Sequence, residues 1–403
     1  MAYDLRTAQE LVVKAGLELM NAGLVARTWG NVSAKISDTE FVITPSGISY
    51  EKLTADDIVP VNIETLEYDE NNLKPSSEKG VHAEFYKAHP ECNFVIHTHQ
   101  LAATAVSCSD KDIDDVPAEY AAIIGKKVPN ASYGMPGTGK LKQGVIDAIA
   151  ANPDSKAVLM RHHGAVCIGA DYDEAFKVVN ALEEVAKYTY TKAIKTKASD
   201  KAYEDVCEVI TSLLPAEDQN IELQDLGDSI RVGNRFTLTM KDGSIYDCDL
   251  VSHQAKAGIA PRVAAIHSEI YKNSKATIIK QYTSAEAVAV SKECVPENAY
   301  IDDFAQLCGD VKAVGWDKSG YRTQAVEIGK ASKGKNAVIV KGQGFLCTGT
   351  NDYDTEAIKL VVEKECIAHM YAKFVECTQL NTVDRLLQRV VYTLKYSKQA
   401  SKK

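Results

Sequence analysis

The feature that most constrains the fold of this chain is an internal repeat. The segment His82-Ala-Glu-Phe-Tyr86-Lys87 is matched in the second half by His267-Ser-Glu-Ile-Tyr271-Lys272. Further matches follow in the same order: Ala103–Ser107 with Ala287–Ser291, and Gly164, Cys167 and Gly169 with Gly344, Cys347 and Gly349. The offset between the copies drifts by only a few residues, as insertions and deletions in loops produce. A repeat of this length predicts two copies of one fold.

The length of the chain allows this duplication. A chain of 403 residues can hold two domains, each with an ample core. We predict a first domain over residues 1–200 and a second over residues 201–403. The junction is expected near Lys195–Tyr203, where Thr, Lys, Ser and Asp accumulate.

Charge and composition exclude several classes of function. The net charge is −9, which disfavours nucleic acid as a partner. The first residues lack an apolar signal core, and no apolar run approaches the length of a membrane span, so we expect a cytoplasmic protein without a membrane role. The ten cysteines are scattered, without a Cys-X-X-Cys pair. This usage indicates reduced thiols in a reducing compartment.

The hydrophobic pattern of the first half alternates between helices and strands. Residues 4–21 have helical spacing and are followed by Gly23, and strands are expected at residues 31–36 and 40–44. A helical face containing Val81, Phe85 and Ala88 then precedes the apolar run Phe94-Val95-Ile96. This order of elements predicts an α/β fold.

Two histidine motifs follow apolar runs and suggest a metal site. His97 and His99 come at the end of the run at residues 94–96, and side chains two residues apart on a strand point to the same side. A second pair, His162-His163, follows the apolar run at residues 157–160. A single histidine at a strand end is more often a hydrogen-bonded residue than a ligand. Three imidazoles together with a carboxylate, Glu78, suit zinc or a similar divalent ion.

Five motifs in this order resemble one known family. They are Gly30-Asn31-Val32-Ser33, Thr44-Pro45-Ser46-Gly47, Pro75-Ser76-Ser77-Glu78, His97-Thr98-His99 and His162-His163-Gly164. Together they resemble the class II aldolase and adducin head family over roughly the first half of the chain. The resemblance implies a three-layer α/β/α sandwich with one zinc ion, held here by His97, His99 and His163 and by Glu78. Another divalent ion is possible.

The resemblance also implies roles for residues around the metal. Glu78 matches the family's catalytic glutamate, which shuttles a proton at the nucleophilic carbon. The small residues Gly30, Asn31, Ser46, Gly47, Ser76 and Ser77 match a pocket where backbone N–H groups, hydroxyls and an amide bind a substrate phosphate. Tyr120, in a region where the match slips by one residue, corresponds to a tyrosine that reaches in from a neighbouring subunit as a proton donor.

The second copy is an internal control on this chemistry. In the register of the repeat, His97 becomes Gln281, His99 becomes Thr283, His163 becomes Gln343, and Glu78 falls at about Val263. The second domain is therefore predicted to lack the metal site. His82 is retained as His267 in a copy without ligands, so we interpret His82 as structural.

The expected activity is that of a carbon–carbon lyase. The resemblance implies cleavage of a ketose 1-phosphate, such as L-fuculose 1-phosphate, to dihydroxyacetone phosphate and an aldehyde. Epimerisation or dehydration of a sugar phosphate at the same site is the alternative among enzymes, although the epimerases of the family carry aspartate where this chain has Glu78. A non-catalytic scaffold, as in adducin heads, is the alternative from another class.

The family's active sites lie between neighbouring subunits of a four-fold ring. A duplicated chain could build such a ring with active and inactive domains alternating around a pseudo-four-fold axis. We therefore expect a homodimer, or a higher homo-oligomer, with one zinc ion per chain.

Overall fold

The chain divides into two compact units. In this computed structural model the described residues are 2–25, 27, 29–197, 206–258, 260–317 and 320–396. The first unit is Met1–Ala193 with Tyr371–Thr378 and Val391–Lys403, and the second is Ile194–Met370 with Gln379–Val390. Most of the junction expected near Lys195–Tyr203 falls at residues 198–205, outside the described residues, so the domain limits 1–200 and 201–403 stay a prediction.

The described residues of the first unit form a mixed sheet, six α-helices and two short 3-10 helices. Its strands are β1 (Asn31–Lys35), β2 (Glu40–Ile43), β3 (Val59–Asn62), β4 (Phe94–Thr98), β5 (Asn130–Ala131), β6 (Ala157–Met160) and β7 (Gly164–Gly169). Its helices are α1 (Leu5–Asn21), α2 (Lys79–Ala88), α3 (Leu101–Val106), α4 (Ala118–Ile124), α5 (Gly139–Ala151) and α6 (Tyr172–Lys197), the last of which continues into the second unit.

These elements form three layers. The strand order is β3-β2-β1-β4-β7-β6-β5, antiparallel except for the parallel pair β5–β6. Along β4, Phe94 and Ile96 belong to the apolar cluster shared with α1, α3 and α6, whereas Val95 belongs to the cluster shared with α2 and α5. Because alternate residues enter opposite cores, helices cover both faces of the sheet. The predicted α/β/α sandwich is confirmed.

The second unit repeats this arrangement. Its strands are β8 (Asp228–Val232), β9 (Arg235–Thr239), β10 (Ile245–Asp249), β11 (Ile278–Tyr282), β12 (Ala313–Val314), β13 (Ala337–Val340) and β14 (Phe345–Gly349). Its helices are α7 (Val206–Ser212), α8 (Ala216–Gln219), α9 (Ala264–Asn273), α10 (Ala285–Glu293), α11 (Asp302–Leu307), α12 (Tyr321–Ala331), α13 (Asp352–Ala372) and α14 (Thr382–Val391).

The two sheets have the same topology. The order β10-β9-β8-β11-β14-β13-β12 corresponds strand by strand to that of the first sheet, and again only β12–β13 is parallel. The register agrees too: Ile96 pairs with Cys167 in the first sheet, and Lys280 pairs with Cys347 in the second. Two sheets with one order and one register are consistent with the predicted duplication.

One layer differs between the units. In the first unit α1 covers β1, all of whose residues are buried. In the second unit α7 packs against α8 and α10 instead, and on β8 Ile230 is 52% and Val232 78% exposed. No sequence pattern predicts that these two apolar side chains of β8 are exposed.

A buried polar cluster is present in both units. In the first, the hydroxyl of Ser33 lies 2.7 Å from His82 Nδ1 and 2.7 Å from the hydroxyl of Tyr86. In the second, the hydroxyl of Ser229 lies 2.6 Å from His267 Nδ1 and 2.7 Å from that of Tyr271. The histidine and the tyrosine are one turn apart on α2 or α9, and the serine is on β1 or β8. The cluster therefore ties a helix to the sheet.

Two further observations concern the whole of the described chain. All ten cysteines are free thiols, and seven of them are buried. Among the described residues, no helix is both long and apolar enough to cross a membrane.

We expect Ser229→Ala to destabilise the second unit by about 1–3 kcal/mol, because the substitution leaves a buried imidazole and a buried phenol short of one hydrogen-bond partner. Hydrogen exchange of the amides of α9 and β8 during denaturant titration measures this loss. The matched control is Ser252→Ala at an exposed serine, which should change stability by less than about 0.5 kcal/mol. Equal protection in the two variants would contradict a stabilising role for the cluster.

Candidate metal centre

The ends of three strands position the predicted histidines. His97 lies on β4 opposite Val166 of β7, and Thr98 lies opposite Ala165. The turn that carries His162 and His163 joins β6 to β7, so it lies beside the end of β4. Gly164 allows the close approach, because a Cβ atom there would be 2.3 Å from the Thr98 carbonyl oxygen. Strand pairing therefore brings two histidine motifs from distant parts of the sequence to one place.

His97, His99 and His163 form one buried cluster. Their exposed fractions are 1%, 2% and 4%, and their candidate ligand atoms all lie within 4.8 Å of one another. The Nε2 atoms of His97 and His99 are 3.0 Å apart. Nitrogens that share a tetrahedral zinc ion are about 3.3 Å apart, given Zn–N bonds of about 2.0–2.1 Å. The three histidines could therefore hold a metal ion.

Hydrogen bonds and stacking orient these imidazoles. His97 Nδ1 donates to the Ala165 carbonyl oxygen at 2.9 Å, which leaves the Nε2 lone pair facing the cluster. The ring of His99 stacks on Trp29 at a centroid distance of 6.1 Å. Burial lowers the pKa of His97 to about 3, against the opposing influence of Glu78. A neutral imidazole is the form that binds a metal.

Glu78 adds a carboxylate to the cluster. It is the residue immediately before α2, and its Oε1 lies 3.0 Å from His163 Nε2 and its Oε2 3.3 Å from His97 Nε2. Burial alone raises the pKa of Glu78, but the adjacent His97 and His163 and the hydrogen bonds from His163 and Asn31 outweigh it and hold that pKa well below its usual range. An ionised carboxylate beside three imidazole nitrogens is a donor set that suits zinc.

The predicted phosphate residues are at the same edge of the sheet. Asn31 pairs with His97 across β1 and β4, and Gly30 directly precedes it. The backbone N–H of Ser46 donates to the Lys74 carbonyl, that of Ser76 donates to the Thr44 carbonyl, and Pro45 bridges to Pro75. The runs containing Ser46-Gly47 and Ser76-Ser77 are therefore adjacent. Ser76 Oγ also accepts the N–H of Glu78 at 3.2 Å, which links this pair of runs to the metal cluster.

The side chain of Asn31 has partners that the sequence did not reveal. Its Nδ2 donates to Glu78 Oε2 at 2.9 Å, and its Oδ1 lies 2.5 Å from His82 Nε2. The phosphate-binding role of Asn31 stays a prediction.

Tyr120 does not join the cluster. It is half-buried on α4, where it packs against the apolar core of the first unit. Among the described residues, Tyr120 makes no hydrogen bond to Glu78 or to the three histidines. Its role as a proton donor to a neighbouring subunit stays a prediction.

Two features near the site were missed at the sequence level. The glycine-rich loop at residues 134–139 brings Gly137 so close to Ser77 that an added Cβ would be 3.2 Å from the serine Cβ. The C-terminal residues of the first unit also approach this region: the Arg27 guanidinium donates to the Tyr392 hydroxyl, and Thr378 Oγ1 lies 3.4 Å from His162 Nε2. Neither contact had a motif that could have predicted it.

The second unit has amides where the first has ligands. Gln281 donates to the carbonyls of Gln224 and Gln343, at 2.9 and 3.0 Å, and accepts the N–H of Leu226 at 2.8 Å. Gln343 accepts the N–H of Gln224 and donates to the Glu222 carbonyl. Side-chain amides both donate and accept hydrogen bonds. The backbone groups of residues 222–226 therefore partner Gln281 and Gln343 without a cation.

The fold and the buried histidine cluster define an α/β/α protein with a candidate metal centre. Residues 10–190 match the family described as Class II Aldolase and Adducin N-terminal domain. An L-fuculose phosphate aldolase from Escherichia coli O6:H1 is 34% identical over 200 residues, which are 49% of this chain and 90% of that protein. The chain therefore belongs to the class II aldolase and adducin family.

Other relatives have different activities or only distant structural likeness. A probable L-ribulose-5-phosphate 4-epimerase from Mycoplasma pneumoniae is 34% identical over 211 residues, which are 48% of this chain and 84% of that protein. A solved structure of L-fuculose 1-phosphate aldolase is 26% identical, covers 53% of this chain and 92% of its own, and has a TM-score of 0.43. Family membership thus supports a sugar-phosphate lyase or a related enzyme and leaves the exact reaction open.

We expect His97→Ala, His99→Ala and His163→Ala each to reduce the bound metal from one ion per chain to less than about a tenth of that, because two remaining imidazoles make an incomplete shell. Metal analysis of the purified variants after dialysis against a weak chelator measures this loss. His82→Ala should retain about one ion per chain, since its ring nitrogens bond to Ser33 and Asn31. A folded His82→Ala variant that binds no metal even at saturating zinc would show that the ligand set is wrong.

Proposed function

We propose that this protein is a zinc-dependent retro-aldolase that cleaves a ketose 1-phosphate, such as L-fuculose 1-phosphate, to dihydroxyacetone phosphate and an aldehyde. The observation that supports it most is the buried Glu78 carboxylate within 3.0 and 3.3 Å of two imidazoles of the histidine cluster. The free cysteines agree with a reducing, cytoplasmic location.

His97, His99 and His163 would hold the ion, with Glu78 as a further ligand until substrate takes its place. When bound, the ion polarises the ketose oxygens and stabilises the negative charge that develops as the carbon–carbon bond breaks. Glu78, which is ionised at rest, would take up one proton and deliver it to the carbon that becomes the methylene of dihydroxyacetone phosphate. That proton comes from the neighbouring hydroxyl as the aldehyde forms, and we propose that Tyr120 of a second copy relays it, its phenol donating one proton as it accepts the other.

Substrate phosphate is proposed to bind at the edge formed by Gly30, Asn31, Ser46, Gly47, Ser76 and Ser77. The positive φ angles of Gly30 (74°) and Gly47 (80°) suit backbone N–H groups that turn towards an anion. The metal and the positive ends of backbone N–H dipoles would supply the positive potential at such a pocket. A cluster of basic side chains is therefore unnecessary.

A homodimer, with active and inactive units alternating around a pseudo-four-fold axis, is the assembly that we propose. Tyr120 is supported as a residue for a neighbouring site by its place on α4, where Ala118 and Glu119 are exposed. Because each first unit then lies beside second units, the second unit would lend residues to the metal-centre pocket in the dimer, and Tyr120 of another copy would reach that pocket in a higher homo-oligomer.

A second activity, epimerisation of a pentulose phosphate, has a specific observation in its favour: the 34% identity to the Mycoplasma pneumoniae relative. Retro-aldol cleavage and re-addition of the aldehyde would use the same metal and phosphate sites.

We expect L-fuculose 1-phosphate, or a related ketose 1-phosphate, to yield dihydroxyacetone phosphate, trapped by coupled reduction with NADH. The same panel should include a pentulose 5-phosphate, with epimerisation followed by chromatography. Epimerisation without any trapped triose phosphate would overturn the lyase assignment. The control is protein stripped of metal, and less than about one ion per two chains in native protein would favour a scaffold.

We expect Glu78→Gln to retain most of the metal and to lower turnover by about 10²–10⁴-fold, because the amide keeps the shape of the side chain but carries no transferable proton. Steady-state kinetics with metal analysis on the same sample measures both quantities. A matched control is Glu84→Gln on α2, a residue outside the cluster. Near-normal turnover in Glu78→Gln would place the proton carrier elsewhere, with Tyr120 the next candidate.

A further inference from the structure

We propose that His82 is a positioning residue that orients Glu78 through the side-chain amide of Asn31. This inference rests in part on the proposed lyase function, because turnover is one of its measurements. It goes beyond the structural role that the repeat assigns to this histidine.

A continuous row of buried side chains joins α2 to the metal cluster. The Tyr86 hydroxyl lies 2.7 Å from Ser33 Oγ, Ser33 Oγ lies 2.7 Å from His82 Nδ1, and His82 Nε2 lies 2.5 Å from Asn31 Oδ1. Asn31 Nδ2 lies 2.9 Å from Glu78 Oε2. His82 and Ser33 are fully buried, so water does not compete for these groups.

The 2.9 Å contact between Asn31 Nδ2 and a carboxylate oxygen of Glu78 sets the direction of the hydrogen bonds in the row. A carboxylate only accepts, so Asn31 must present its amide N–H₂ to Glu78 and its oxygen to His82. His82 then donates from Nε2 and accepts at Nδ1 from the Ser33 hydroxyl. Burial lowers the pKa of His82 to about 4, which agrees with a neutral ring that donates from one nitrogen and accepts at the other.

The second unit supports this direction independently. His267 Nε2 lies 2.7 Å from the Leu226 carbonyl oxygen, an atom that can only accept. His267 therefore donates from Nε2 and accepts at Nδ1 from Ser229, in the same sense as His82.

The second unit also shows which part of the row is scaffold. Ser229, His267 and Tyr271 are present there, but Gly227, two residues before the serine, has no side chain at the place of Asn31. Val263 occupies the position before α9 where the first unit has Glu78. In the second unit the serine–histidine–tyrosine cluster is therefore fully hydrogen-bonded at its histidine without a metal site, since the Leu226 carbonyl accepts from His267. Only the first unit extends it, through Asn31, to a carboxylate.

The consequence for Glu78 is a fixed orientation. Without the His82 N–H, the amide of Asn31 loses the partner that prevents it from turning over, and a turned amide would present oxygen to the carboxylate. Residues that hold a metal ligand in this indirect way typically contribute about 10–100-fold to affinity or activity. His82→Leu should therefore impair Glu78 while leaving the three imidazoles in place.

The test combines His82→Leu, Asn31→Ala and the double variant. We expect His82→Leu to lower kcat by about 10–100-fold with KM changed by less than about twofold, and the double variant to be no slower than Asn31→Ala alone, because both changes act on one carboxylate. His82→Gln, whose amide N–H₂ can donate to Asn31, should recover part of kcat. Multiplicative losses in the double variant, or an unchanged kcat in His82→Leu, would overturn the proposal.

Two controls separate positioning from loss of folding. His267→Leu removes the matched histidine of the second unit, and we expect it to weaken hydrogen-exchange protection of α9 without changing kcat per folded chain. A pairing of His82→Leu with Ser46→Ala, at the proposed phosphate edge, should give multiplicative effects. If His82→Leu does not fold, Asn31→Ala and His82→Gln still decide the question.

Zinc affinity gives a readout that does not depend on the proposed reaction. Titration of metal-free protein with zinc against a chromophoric chelator should show affinity lowered by about tenfold in His82→Leu and in Asn31→Ala, with no further loss in the double variant and still one ion per chain at saturation. Unchanged zinc affinity in both single variants would contradict the proposal even if no substrate is ever cleaved. If zinc affinity falls in both single variants with no further loss in the double variant, but no lyase activity is found, His82 stays a positioning residue. That result would overturn only the proposed reaction.

Discussion

The structure around the candidate centre depends on one constraint: three imidazoles and a carboxylate are buried within contact of one another. Two imidazole nitrogens 3.0 Å apart repel unless a proton or a cation lies between them. Burial makes protonation of His97 unfavourable, because a charged ring would lose its hydration. A divalent ion between these imidazoles and the carboxylate would meet this requirement. The strand ends, Gly164 and the start of α2 hold the side chains at positions where they could bind such an ion.

The two units show how a fold can be kept while its chemistry is removed. Both have one strand order, one register and one serine–histidine–tyrosine cluster. At the ligand positions the second unit carries Gln281 and Gln343, which bond to backbone groups of residues 222–226. The histidine cluster could hold an ion, whereas these amides find their donors and acceptors within the chain. Function in this family is therefore a property of the site and not of the sandwich.

Much of the first unit follows from the sequence because its signals are local. A period of two placed His97, on β4, and His99, just past the end of that strand, on one side, and helical spacing with Gly23 predicted α1 to within a residue at its start. The features that were missed depend on distant partners. No local pattern indicates that Asn31 would lie between Glu78 and His82, that Gly137 would contact Ser77, or that the apolar side chains at 230 and 232 of β8 would be exposed.

The sequence by itself determined the family, the α/β/α layers, the duplication of motifs and the identity of the residues that could bind a metal. These follow from residue types at fixed spacings, which the chain carries wherever it folds. Only the tertiary structure decided which hydrogen-bond partner each buried polar side chain takes. That choice depends on distances of about 3 Å between residues far apart in the sequence, such as Asn31 and His82, and those distances exist only after the sheet and helices have packed.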